Sequence, residues 1–153
     1  TLVSVPQSMS PTDAAAADRL IADLQLLAGQ PLPADYLDFL RTFPASGTFD
    51  VNGTIAHPSA HDGDFTLTNL LAGSKHANCD ARSLRREQVS HRGQMLPLDW
   101  LAIGEDLGGN RFAIDLRRET AGQVAFWNHE TNRLTPLAPG FERFVLGLRL
   151  DAW

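Results

Sequence analysis

The chain has 153 residues, 43% hydrophobic and 20% charged, the size and make-up of one folded domain. Its net charge is −5, so it lacks the basic footprint of a nucleic-acid-binding protein. No stretch approaches the ~20 apolar residues of a membrane helix, and the single cysteine, Cys79, has no internal disulfide partner.

Residues 1–11 hold neither the charged region nor the apolar run of a secretory signal. They read as a flexible segment ahead of one domain over 12–153, and the expected location is the cytoplasm. Charge is uneven. Residues 1–80 carry three basic against nine acidic side chains, and residues 81–153 ten against nine. On charge alone an acidic half reads first as a solvated surface, and second as a face for a basic partner.

Thr12 to Ala28 reads as a helix, with Leu20, Leu24 and Leu27 at helical spacing and Ile21 beside them. Asp13 and Asp18 favour its N-terminal side, and Gly29 ends it. A second helix is predicted from Pro33 to Phe43. Its stripe is Tyr36, Leu40 and Phe43, widened by Leu37 and Phe39, and Pro44 stops it. Asn52-Gly53 lies between two apolar triplets and predicts a tight hairpin turn. Phe65 to Leu67 predicts a short strand, and Ala81 to His91 a helix in a polar region.

Strands follow at Trp100–Ile103, Arg111–Leu116 and Gln123–Asn128. In the second of these Phe112, Ile114 and Leu116 share a face, and Asp115 points away. In the third, Val124 and Phe126 oppose Trp127. If the two strands pair, Asp115 lines a shallow surface beside Trp127. Phe141, Phe144, Val145 and Leu148 mark a closing helix, with Pro139 near its first turn. Strands joined by short turns pair antiparallel, so the fold class is α+β, with helices packed on a largely antiparallel sheet.

Three segments carry a family resemblance. They are Leu32-Pro33-Ala34-Asp35-Tyr36-Leu37-Asp38-Phe39-Leu40, then Leu101 to Leu116 with its Gly104-Glu105-Asp106-Leu107-Gly108-Gly109-Asn110 turn, then Gly122 to Glu130 with Trp127-Asn128-His129-Glu130. In this order and spacing they resemble the SUKH superfamily, the Smi/Knr-type domain. The resemblance runs from Thr12 to Leu148. It departs from the family pattern at Pro44-Ala45-Ser46-Gly47, where Asn-Gly-Gly is common, and matches only loosely over residues 56–95.

His57 and His61 have the spacing of helical metal ligands, with Asp62 and Asp64 nearby, but Pro58 and Gly63 break any helix and favour a polar loop. Glu105 and Asp106 share one glycine-rich turn, and a catalytic pair comes from separate elements flanking a substrate. Gly104, Gly108 and Gly109 fit no phosphate loop. His129 and Glu130 are adjacent at a strand end and point to opposite faces, favouring a turn helped by Asn128 and Asn132. Cys79 near His76 reads as an unreactive loop thiol. Arg82, Arg85, Arg86 and Arg92 form a basic cluster without aromatic neighbours for base stacking. Trp100 reads as core.

The resemblance implies a non-catalytic protein-binding module, an immunity protein that binds and neutralises a polymorphic bacterial toxin. Twelve arginines against one lysine agree with a GC-rich bacterial genome. A regulatory interaction hub is the alternative, and a metal-dependent hydrolase on His57, His61, Asp64 and His129 the third reading. Neither cofactor nor metal is expected. The expected contact residues are Glu105, Asp106, Asn110, Asp115, Trp127, His129 and Glu130, on the motif turn and the Trp127 face.

Overall fold

The computed structural model describes residues 11–42, 48–60, 63–71, 93–97, 99–117 and 119–150. The expectations for residues 1–10, for Phe43 and Pro44, for His61 and Asp62, and for the helix, cysteine and arginines of residues 72–92 lie outside them. Among the described residues three helices and seven strands form an α+β domain, as the sequence predicts.

Helix α1 spans Pro11–Ala28 and buries Leu20, Ile21 and Leu24, one face at helical spacing. Gly29 ends it with φ +69°, and its N–H donates to the Gln25 carbonyl at 3.0 Å. The Gln25 side chain then accepts from the Leu32 N–H at 3.2 Å, fixing the link to the next helix.

Helix α2, Ala34–Thr42, buries Tyr36, Phe39 and Leu40. Its Tyr36 and Phe39 rings lie 5.2 and 4.9 Å from the Phe141 ring at the start of helix α3, Phe141–Gly147. Each large apolar side chain buried in this way contributes about 1.5–3 kcal/mol.

The strands are β1 Thr48–Ala56, β2 Asp64–Leu71, β3 Trp100–Glu105, β4 Arg111–Asp115, β5 Val124–Asn128, β6 Arg133–Ala138 and β7 Arg149–Leu150. They form one antiparallel sheet in the order β6-β5-β4-β3-β2-β1-β7. Among the described residues the β2–β3 seam pairs Asn69 with Glu105 and Leu70 with Gly104. The sheet curls over its helix-side core: Phe65 of β2 stacks on Phe126 of β5 with ring centroids 4.0 Å apart, although two strands lie between them.

Alternation sorts the side chains. Leu101, Ile103, Phe112, Ile114, Val124 and Phe126 join the helices in the main core. Trp100, Ala102, Ala113, Ala125 and Trp127 form a second cluster with Leu96. The face sharing read from β4 and β5 holds.

One expected turn is corrected. Asn52-Gly53 lies inside the continuous strand β1, not at a hairpin tip. Asp50 pairs with Asn69 and Gly53 with Leu67, so β1 holds one residue more than β2 between these pairs. That is a β-bulge, where a residue without a Cβ fits well. Strands β1 and β2 meet beyond Ala56, where the His57 N–H donates to the Gly63 carbonyl at 2.9 Å and Gly63 has φ +84°. This longer pairing buries Ile55 and Leu67.

Two strands have no counterpart among the sequence expectations. Strand β6 contains Pro136, which reads against a strand, but β6 is an edge strand, where proline is tolerated. Strand β7 is two residues long.

Candidate functional site

The β3–β4 and β5–β6 turns lie side by side at one end of the sheet. In the first, the Asp106 N–H donates to the Asn110 carbonyl at 3.3 Å, closing a hairpin over Leu107-Gly108-Gly109. Asp106 Oδ1 accepts from the N–H groups of Gly108 and Asn110, each at 2.9 Å, and Oδ2 from the Asn110 side chain at 2.9 Å. Gly109 takes φ +89°, the conformation that calls for glycine. The Thr68 hydroxyl donates to the Glu105 carbonyl at 2.8 Å, tying the turn to β2.

The second turn is built by Asn128 and Asn132. Asn128 Oδ1 accepts from the N–H groups of Glu130 and Thr131 at 2.9 and 3.2 Å. Asn132 stands at φ +55°, which asparagine tolerates, and its Oδ1 accepts from the buried Trp127 indole N–H at 2.8 Å. This is the turn role read for both asparagines.

Asn110 joins the two turns. Its Oδ1 accepts from the His129 N–H at 3.1 Å and lies 2.8 Å from His129 Nδ1. His129 is buried at 3% exposure. Arg111, also buried, donates to the carbonyls of Gly109 and Asn110 and lies 3.6 Å from the Glu105 carboxylate. Of the seven expected contact residues, Glu105, Asp106, Asn110, His129 and Glu130 come together here, with Trp127 beneath them.

Asp115 lies elsewhere, at the far end of β4, roughly 13 Å along the strand from Arg111. The expectation that it lines a shallow surface beside Trp127 is corrected. Both side chains are 0% exposed, because Leu96 packs into the second cluster around Trp127 and the β4–β5 connection wraps Asp115. Asp115 accepts from the Arg117 backbone at 2.8 Å, the Arg117 guanidinium at 2.8–3.2 Å and the Thr120 hydroxyl at 2.6 Å. Burial by itself pushes this carboxyl up. The Arg117 and Thr120 side chains, the Arg117 N–H and the guanidinium charge outweigh burial and hold it below the usual carboxylate range. The Arg117 guanidinium is in turn held more firmly protonated, first by its hydrogen bonds to Asp115.

Among the described residues no group of three His, Cys, Asp or Glu side chains converges on a metal position. His57 Nδ1 accepts from the Ser59 N–H at 3.1 Å, and Asp64 is 2.6 Å from the Arg149 guanidinium. No helix of the described residues is long and apolar enough to cross a membrane.

Sequence reasoning passed over Leu107. It is 93% exposed at the tip of the first turn. The available signal was an apolar side chain standing alone between Glu105-Asp106 and two glycines.

Fold and site define an α+β domain whose shared motif residues organise two neighbouring turns at one end of an antiparallel sheet. The chain belongs to the SMI1 / KNR4 family (SUKH-1), a family of immunity-like proteins, whose model matches residues 15–147. It is also similar to the SPbeta prophage-derived uncharacterized protein YokK of Bacillus subtilis (strain 168), 26% identical over 142 residues, covering 84% of this chain and 72% of the relative. No solved structure matches the chain.

Proposed function

We propose that this chain is an immunity protein, which neutralises a polymorphic bacterial toxin by binding it in the cytoplasm and acts without catalysis or a cofactor. The observation that carries the reading is the family match over residues 15–147. Blocking a toxin needs a complementary surface of about 800 Å² per partner. It does not need a poised acid or base. The Asp106 carboxylate is hydrogen-bonded within its own turn, which supports binding over acid–base work. The excess of acidic over basic side chains in residues 1–80 suits a toxin with a basic active cleft.

Co-expression tests this directly. The tagged chain is produced with the toxin-type product of the neighbouring gene, and complex formation and cell survival are measured. An equimolar complex that restores growth is expected. A folded neighbour that neither binds nor is silenced would remove the immunity reading and favour a regulatory interaction hub.

A further inference from the structure

The first turn is unusual in what it leaves outside. Asp106 and Asn110 spend their side chains within the turn and on the second turn, and Arg111 is drawn in at 8% exposure. What the turn lifts into solvent is one leucine. Single exposed leucines are ordinary on a protein surface. Leu26 and Leu146, 82% and 73% exposed on helices α1 and α3, are of that kind. Leu107 differs because a network of hydrogen bonds across two turns fixes the backbone that carries it. Because that backbone is already ordered, burying Leu107 on binding carries the rotamer cost of the side chain but little further backbone ordering.

We propose that the β3–β4 and β5–β6 turns form one preorganised recognition unit, anchored by Leu107, for a protein partner offering an apolar recess bordered by cationic side chains. The inference rests on the immunity reading and names the surface that serves it. Leu107 fills the recess. Asp106 and Glu130 give the rim its negative sign, while Glu105 is paired with the buried Arg111 guanidinium at 3.6 Å. The hydrogen bonds of Asn110 to Asp106 and His129 make it the positioning residue that keeps the two turns in one arrangement.

The test uses the full chain and the toxin-type product of the neighbouring gene as probe. Leu107→Ala, Leu107→Asp and, as a control on another exposed leucine, Leu26→Asp are compared by calorimetric titration. Circular dichroism confirms that each variant keeps its fold. Leu107→Ala is expected to weaken binding about 10- to 100-fold and Leu107→Asp more than that, with Leu26→Asp within about 3-fold of the unmodified chain. A complex that tolerates Leu107→Asp overturns the anchor and leaves the immunity reading standing. Equal losses in the Leu107→Asp and Leu26→Asp variants overturn it as well. No complex with the unmodified chain overturns both.

Discussion

Asp115 keeps its charge inside the fold because Arg117 and Thr120 satisfy both of its oxygens. Its pKa is depressed on folding, so the stability it contributes is fully present above the unfolded value of about 3.9 and is lost as pH falls through the lower folded value. Asp115→Asn should therefore cost about 2 kcal/mol at pH 7 in urea denaturation. Arg117 is half exposed, so removing Asp115 does not strand a buried cation and the loss stays modest. The gap between variant and parent should narrow below about pH 4. A gap that stays constant from pH 7 downwards would show that the carboxylate charge is not responsible.

At the scale of elements, α3 is held from a distance. Its cap residue, Gly140, offers no side chain, and Asp35 of α2 supplies the acceptor instead, taking the Glu142 N–H at 3.0 Å. A Cβ on Gly140 would stand 3.3 Å from that carboxylate. Gly140 is extended, φ −163°, so alanine there costs nothing in backbone strain and acts only by crowding Asp35. Asp35→Ala should cost about 1 kcal/mol, and Gly140→Ala should cost less once Asp35 is already gone. Strict additivity in a double-mutant cycle would break the link.

The same scale shows what the sequence could tell. The helices were legible because stripes, a terminal glycine and flanking prolines act within a few residues. Asn52-Gly53 misled because a bulge and a turn call on the same residue types, and only the partner strand decides between them. Pro136 hid β6 because edge position is a property of the whole sheet. The two motif turns were legible as turns, but their union through Asn110 and His129 joins positions 19 apart in sequence. Trp127 and Asp115 were correctly placed on one face, yet their burial depends on Leu96 and the β4–β5 connection, which strand periodicity does not report.

Among the described residues the sheet carries a core on each face, and the second is the smaller. Leu96, Trp100 and Trp127 close over an alanine floor of Ala102, Ala113 and Ala125. Leu96→Ala should cost about 3 kcal/mol and shift tryptophan fluorescence, because neighbours in a packed cluster collapse only partly into the space left. Leu26→Ala on the α1 surface should stay within about 0.5 kcal/mol. Equal effects would mean that the second face is not a closed core.

Strand β7 completes the sheet beside β1, pairing Gly53 with Leu150 and Thr54 with Arg149. Strand β1 therefore leaves the ribosome with one side open and waits for residues made much later. At about 5–20 residues per second, that wait lasts roughly 5–20 s. During this interval the edge of β1 at Gly53 and Thr54 stands without the partner that β7 later supplies, an open strand edge of the kind that invites pairing with another chain.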